Sequence, residues 1–313
     1  MYDIIGDTHG YADELVQLLT QLGYRETGGV FSHPDRTAVF CGDFIDRGPQ
    51  IRDVLKIVRN MVDSGHAQAI IGNHEFNAIA FHREKSNAPG QYYRAHSERN
   101  KHQHQQTLQQ LDADEMQDHL RWFATLPVCL DLKQFRVVHA CWDPPSLEIL
   151  QKELSTHSLA DEDILSRATT PGTDLFDAVE CVLKGPELKL PAGLHVLDKE
   201  GTKRTRTRIR WFELPNDRSW SEYCLPAAEL PALTELQVPE SCQPNTYPAE
   251  DPPVFFGHYW LQSEKPAPLA ANVACVDYSV ARGGHLAAYR FNGEPTLSAD
   301  RFVTVPCREA LRS

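Results

Sequence analysis

The chain has 313 residues, 43 acidic and 31 basic, with a formal net charge of -12 and 41% hydrophobic residues. That acidic balance argues against general nucleic-acid or anionic-membrane binding, which depends on a basic surface, and the length and apolar content suffice to bury a sizeable core. No uninterrupted apolar run approaches the roughly 20 residues needed to cross a bilayer. The opening Met1-Tyr2-Asp3-Ile4-Ile5 lacks a charged leader with an apolar centre, so the expected compartment is the cytoplasm. Eight scattered cysteines without a C-x-x-C pair predict buried apolar fillers, not a disulfide framework or a thiolate zinc site.

Short apolar runs alternate with helical patterns through the first third, as in βα units feeding a sheet. Tyr2 to Gly6 reads as a buried strand, followed by a helix whose Leu15, Leu18, Leu19 and Leu22 share one face. Thr37 to Cys41 is the second strand, Val54, Leu55, Val58 and Met61 mark the second helix, and Ala67 to Ile71 is the third strand. Another helix begins near Asn73. The polar stretch from Asn87 to His104 is expected to loop out, before a helical run closing on Arg121-Trp122-Phe123-Ala124-Thr125-Leu126-Pro127. Phe135 to Val138 is a strand. Residues 144 to 253 hold 13 of the 21 prolines, which predicts irregular structure and an inserted subdomain. Regular strands return at Val254 to Phe256, Val273 to Val276 and Leu286 to Phe291.

Polar clusters follow five of these strands: Asp7-Thr8-His9-Gly10, Gly42-Asp43-Phe44-Ile45-Asp46-Arg47-Gly48, Gly72-Asn73-His74-Glu75, Val138-His139-Ala140 and Gly257-His258. Carboxyl ends of strands open onto the ligand crevice of open α/β sheets, so clusters at those ends can converge in space. Their oxygen and imidazole donors suit Mn, Fe or Zn. Each cluster alone is more often an ordinary turn, and its glycines can be ordinary tight-turn residues. The ordered series of five is the stronger signal.

That series, D-x-H-G, G-D-x-x-D-R-G, G-N-H-E, V-H and G-H, resembles the metal scaffold of the calcineurin-like metallophosphoesterases, and the D-R-G tail resembles their phosphoprotein phosphatase branch. Trp122 to Pro127 is similar to the segment before the fourth motif. Val273-Ala274-Cys275-Val276-Asp277 through Gly283-Gly284-His285-Leu286 is similar to the C-terminal strand pair of bacterial diadenosine tetraphosphatases. The likeness covers about residues 1–142 and 254–292. It implies an α+β or α/β fold, a two-sheet αββα sandwich, with a core of residues 1–144 and 253–313 and residues 145–252 as an insertion or cap.

The resemblance also implies two divalent metal ions. Asp7, His9 and a shared Asp43 would hold one; Asp43, Asn73, His139 and His258 would hold the other. Mn is expected, with Fe or Zn as alternatives. A hydroxide bridging the ions would attack phosphorus in line with the leaving oxygen. His74, paired with Asp46, would protonate the leaving alkoxide, the carboxylate fixing the imidazole tautomer; a structural Asp-His hydrogen bond is the plainer alternative. Arg47 would hold a phosphate oxygen through its planar fork. Where many relatives carry G-H-x-H, this chain has Gly257-His258-Tyr259-Trp260, which removes one imidazole and weakens the case for a nuclease.

The implied activity is that of a metal-dependent phosphatase acting on phosphomonoesters, protein phosphatase-like. Alternatives are a dinucleoside polyphosphate hydrolase such as a diadenosine tetraphosphatase, or a non-catalytic metal-containing binding module. The partner would be a phosphorylated protein or a nucleotide-type small molecule. Arg204, Arg206, Arg208 and Arg210 alternate through Lys203 to Trp211, which would put all four on one strand face as a second phosphate clamp or, equally, as a solvated basic strand. His102 and His104 read as part of a solvated polar helix or loop. Cys41 and Cys141, beside the motifs, read as packing residues.

Overall fold

The computed structural model describes residues 1–197, 203–227, 231–239 and 246–308; Cys242 lies outside them. The chain opens with β1 (Tyr2–Ile5), α1 (Ala12–Gln21), a hairpin of β2 (Arg25–Thr27) and β3 (Val30–Ser32), then β4 (Thr37–Phe40), α2 (Ile51–Asp63), β5 (Ala67–Ala69) and α3 (Asn73–His82). Next come α4 (Glu98–Gln110), α5 (Ala113–Phe123), β6 (Cys129–Asp131), β7 (Arg136–Val138), α6 (Pro144–Leu154), α7 (Glu162–Ala168) and α8 (Asp174–Lys184). Short strands β8 (Glu187–Lys189), β9 (Val196–Leu197), β10 (Lys203–Arg204) and β11 (Arg206–Arg208) and helices α9 (Trp220–Tyr223) and α10 (Pro231–Thr234) follow. The chain then returns through β12 (Val254–Phe256), β13 (Val273–Cys275), β14 (Asp277–Tyr278), β15 (His285–Phe291) and β16 (Phe302–Pro306).

Two sheets face each other. One runs β14-β15-β1-β4-β5, with β16 on β15; the other runs β13-β12-β7-β6. Strands β1, β4 and β5 are mutually parallel, as are β7, β12 and β13, so six strand ends of one kind deliver their loops to a common side. Strand periodicity sorts the side chains. Ile4, Val39, Phe255, Ala274, Tyr289 and Phe291 point between the sheets with Phe135 and Val137, whereas Ile5, Phe40, Phe256, Cys275 and Ala288 face the helices. This is the sandwich the resemblance implies. Helix α1 buries Leu15, Leu18 and Leu19, and α2 buries Val54, Leu55, Val58 and Met61, the faces expected from their spacing.

Three expectations need correction. The polar stretch predicted to loop out becomes helical at Glu98, because Ser97 caps α4 by accepting the Asn100 N–H. The proline-rich span is not irregular throughout: α6, α7 and α8 bury Leu147, Leu150, Ile164, Leu165, Val179 and Val182 in the same cluster as the main helices. Pro144 and Pro145 sit in the first turn of α6, where no intrahelical N–H is required, so proline content misled there. The four alternating arginines do not form one strand face. A bend at Thr205 separates β10, which pairs with β9, from β11, which pairs with β8. The seven described cysteines are free thiols. Among the described residues no helix is long and apolar enough to cross a membrane.

Phe255 is fully buried between the sheets and has Phe135, Tyr289 and Phe291 with ring centroids 5.0 to 5.8 Å away. Phe255→Ala is expected to destabilise the fold by about 3–5 kcal/mol. Urea unfolding checks this; a cost below about 1 kcal/mol would show that the sheets do not depend on this aromatic stack.

Candidate metal centre

The site is built on the loops that leave β1, β4, β5, β7 and β12. Its organiser is Glu75, three residues into α3 and fully buried. Oε2 accepts the backbone N–H groups of Asp43 (2.8 Å) and Gly72 (3.0 Å), and Oε1 accepts those of Phe44 (2.8 Å) and Ile45 (3.3 Å). One carboxylate thereby ties the loop after β4 to the start of α3. Gly72 must be glycine: a Cβ there would lie 2.2 Å from Asp43 Oδ1 and 2.4 Å from Asp43 N. Gly257 is constrained in the same way, since its Cβ would lie 2.0 Å from Asp7 Oδ1. Of ten non-glycine residues with positive φ among those described, six are His9, Asp43, Asp46, Arg47, His258 and Trp260, so backbone strain is concentrated where the polar side chains meet.

Two groups of donor atoms lie close enough to share a cation: His9, Asp43 and His74 in one, and Asp43, His139 and His258 in the other, all ligand atoms of a group within 4.8 Å of one another. Asp43 belongs to both. Asn73 joins the second, its Oδ1 lying 3.1 Å from His139 Nε2 and 2.7 Å from His258 Nδ1. Asp7 belongs to neither group. Its Oδ2 accepts the His258 N–H at 2.9 Å, and its Oδ1 is buried with no hydrogen-bond partner. His74 lies in the first group beside His9 and Asp43, and Asp7 borders the second through the His258 N–H.

The hydrogen bonds fit these residues to cations. His9 Nδ1 donates to the Ile45 carbonyl (2.9 Å) and His139 Nδ1 to the Cys41 carbonyl (2.7 Å). In the neutral imidazole each then presents a lone pair at Nε2, the arrangement found in metal-ligating histidines. His9 Nε2 is buried without a hydrogen-bond partner, 3.6 Å from Asp43 Oδ2. His139 Nε2 faces two further acceptors, Asn73 Oδ1 and Asp43 Oδ1 at 3.4 Å. Lone pairs converging in a buried space are repulsive unless a proton or a cation lies among them.

The electrostatics of the protein alone show the same tension. Burial, then the charge of Asp277, hold Asp7 well above the usual carboxylate range. Burial lowers His9 to about 3, with His74 adding to the effect. Burial would lower His139 too, yet the Asp43 carboxylate beside it pushes it up to about 10. Burial and Asp43 raise Glu75 to about 7. Cations at Asp43 would relieve these conflicts together.

Beside the centre, His74 Nδ1 donates to Asp46 Oδ2 at 2.5 Å and its ring lies edge-on to His9 at 4.8 Å. The structure thus brings together Asp7, His9, Asp43, Asp46, Asn73, His74, His139 and His258. Arg47 lies at the edge, its guanidinium 5.8 Å from the Trp260 ring, and its charge acts on His9.

Three of the insertion arginines are engaged by nearby groups. Arg206 donates to the Glu187 carbonyl, Arg208 to the Lys184 carbonyl, and Arg210 to Glu213 and the Leu269 carbonyl. Arg204 is exposed on β10. Arg208 comes nearest the question, since its charge acts on the buried Tyr259 hydroxyl.

Several participants escaped the sequence reading. His104 is not solvated: it is 5% exposed and donates from Nδ1 to Asp46 Oδ1 at 2.8 Å. The signal was its i,i+3 spacing with Thr107, which also bonds Asp46 Oδ1, at 2.5 Å. Asp277 is buried and accepts the Trp260 N–H at 2.6 Å. Trp260 packs 5.4 Å from the His9 ring, and exposed Arg282 places its guanidinium 5.4 Å from the same indole.

The sequence profile described as "Calcineurin-like phosphoesterase" matches residues 2–182, more than half of the chain. The chain belongs to this family. Membership implies phosphoric ester hydrolysis with divalent metal ions, and the two donor groups sharing Asp43 are residues that could hold such ions. Among similar proteins, that of Halalkalibacterium halodurans is named bis(5'-nucleosyl)-tetraphosphatase PrpE [asymmetrical] and is 46% identical over 74 residues, 23% of this chain and 30% of that protein. The equally named protein of Bacillus subtilis is 42% identical over 74 residues, with the same shares. The chain therefore spans under a third of the length of these relatives. Among solved structures, a cold-active protein-tyrosine phosphatase of a Shewanella psychrophile is 15% identical, with 97% of this chain and 79% of that one covered and a TM-score of 0.44. A protein serine/threonine phosphatase from Saccharomyces cerevisiae is 13% identical, with 97% and 78% covered and a TM-score of 0.45.

Glu75→Gln keeps the size but turns one acceptor into an NH2 group facing backbone donors. It is expected to destabilise the protein by about 2–5 kcal/mol through unsatisfied buried N–H groups, and to lower bound metal. Denaturant unfolding and metal analysis check this; a variant of native stability with full metal content would contradict the organising role.

Proposed function

We propose that this protein hydrolyses phosphomonoesters with two divalent cations, in the manner of a protein phosphatase, in the cytoplasm. The observation that supports this most is the pair of buried donor groups sharing Asp43, with the His74–Asp46 pair alongside. In this reading Asp7, His9 and Asp43 hold one cation, and Asp43, Asn73, His139 and His258 the other. The mixed nitrogen and oxygen donors suit Mn, Fe or Zn, and Mn is the ion we propose. When bound, such ions acidify water and neutralise charge developing on a phosphoryl group.

The chain's own groups do the remainder. Asp46 accepts the Nδ1 proton of His74 and so turns Nε2 toward the centre, 3.9 Å from Asp43 Oδ2, where it can deliver a proton to a departing alkoxide. Arg47 grips phosphate oxygens. Residues 145–252 are proposed as an insertion or cap on a core of 1–144 and 253–313, and of its arginines Arg208 is the best placed to assist.

A second reading is hydrolysis of dinucleoside polyphosphates. It is favoured by the names of the relatives that match a 74-residue stretch of the chain and by Arg282, a second guanidinium at the Trp260 ring that could hold a further phosphate. A panel of p-nitrophenyl phosphate, phosphopeptide and diadenosine tetraphosphate, with Mn and with chelator, separates the readings. Metal-dependent release of phosphate from the monoesters is expected. Asp43→Asn should lose both ions and the activity; full activity with two ions retained would sink the shared-ligand reading. No turnover on any ester, diester or anhydride would leave a metal-containing binding module.

Arg47→Ala should weaken every phosphate substrate. Arg282→Ala should raise KM about tenfold for substrates carrying linked phosphates, the scale of one lost hydrogen bond to a charged group, and change p-nitrophenyl phosphate little. Equal KM changes for both substrate types would remove Arg282 from the phosphate-binding role.

A further inference from the structure

Asp46 is bound from two sides. His74 Nδ1 reaches Oδ2, while Oδ1 accepts from both His104 Nδ1 and Thr107 Oγ1. The Thr107 hydroxyl also accepts the Asp46 backbone N–H at 3.0 Å, so this residue holds main chain and side chain together. Both partners lie on the one buried face of α4, an otherwise polar helix.

The outer end of the array fixes its protons. His104 Nε2 lies 3.1 Å from His82 Nε2, and two imidazole nitrogens at that distance need one hydrogen between them. Because His104 donates from Nδ1 to a carboxylate, the neutral ring presents a lone pair at Nε2, and His82 must be the donor. The direction then runs from His82 Nε2–H to His104, and from His104 Nδ1–H to Asp46. His82 ends the helix in which His74 is the second residue, so α3 is tied to Asp46 directly at its start and through His104 at its end.

A carboxylate rotates easily about its terminal torsion, which is broad and roughly two-fold. With Oδ1 held by two donors, Oδ2 has one direction left, along the Nδ1–H of His74. We propose that His104 is a positioning residue for the His74–Asp46 pair, with its own tautomer set by His82. The inference rests on the phosphatase reading above. His104 touches neither substrate nor the reacting atoms; it acts by fixing the carboxylate that aims His74.

The experiment compares kcat and KM for an alkyl phosphate and for p-nitrophenyl phosphate in His104→Ala, His104→Gln, His74→Asn and the His74→Asn/His104→Ala double variant, all Mn-loaded and with metal content measured. His104→Ala should lower kcat about tenfold for the alkyl phosphate and under about threefold for p-nitrophenyl phosphate, whose leaving group needs no acid, with KM and metal content nearly unchanged. His104→Gln, which can still donate to Oδ1, should recover part of the loss. On the His74→Asn background the same change should add under about twofold, because the two residues act as a unit. A fully additive loss, or equal losses for the two leaving groups in His104→Ala beside a biased loss in His74→Asn, would overturn the positioning role. An unbiased His74→Asn would overturn the acid role of His74 and the proposal with it. Should His104→Ala fail to fold, Thr107→Val removes the other donor to the same oxygen and carries the same expectation.

Discussion

Four backbone N–H groups converging on the Glu75 carboxylate are the constraint on which the centre depends. They come from the loop after β4 and from the start of α3, segments that follow the parallel neighbours β4 and β5 yet lie about thirty residues apart in the chain. A buried N–H without an acceptor costs about 1–3 kcal/mol, so this one side chain satisfies most of what the bend after Phe40 would otherwise leave unpaired. The bend in turn gives Asp43 its positive φ and places it between His9 and His139. Loss of Glu75 would therefore be felt at both donor groups although it belongs to neither.

The same logic explains why so much strain is tolerated in one place. Residues held at positive φ cost of order 1 kcal/mol or more each, and six of them surround the centre. The two-sheet core supplies rigidity: Ile4, Val39, Phe255 and Val276, buried between the sheets, fix the strand ends from which those loops depart. Stability resides in the sandwich, and the loops spend it on geometry. Burial then lowers His9, which keeps its imidazole in the neutral form a metal ligand requires, and raises Asp7, which without a cation favours the protonated acid over the binding-competent carboxylate.

Much of this was legible in the sequence because the centre is assembled from strand-end motifs, and strand ends announce themselves. Asp7, Asp43, Asn73, His139 and His258 each follow an apolar run by one to three residues, and parallel pairing converts that regularity into convergence. Part of what the sequence concealed arrives from a helix. His104 lies in a run of polar residues whose only departure from a solvated face is the i,i+3 pair with Thr107, too weak a signal without knowing that Asp46 faces it. The arginines of β10 and β11 failed for the converse reason. Perfect alternation describes one strand face only if the strand is continuous, and the bend at Thr205 ends it. Pro144 and Pro145 suggested irregularity where they instead start a helix.

Charge decides how an acidic chain can accept an anionic substrate. With a net charge of -12, the protein as a whole repels phosphate compounds, yet within the centre the acidic side chains are spent on internal partners: Glu75 on backbone N–H groups, Asp46 on two imidazoles and a hydroxyl, Asp277 on the N–H groups of Trp260 and Ser279. Hydrogen bonds of this kind disperse the negative charge inward. The positive groups at the rim are arranged otherwise: Arg47 and Arg282 both approach Trp260, whose ring lies against His9. An indole face holds a guanidinium without neutralising it, so the Trp260 ring gathers two cationic side chains beside the donors. At distances within a Debye length of about 8–10 Å such local charges weigh more than the sign of the whole chain, and the indole that carries both arginines ties their position to that of the His9 ring.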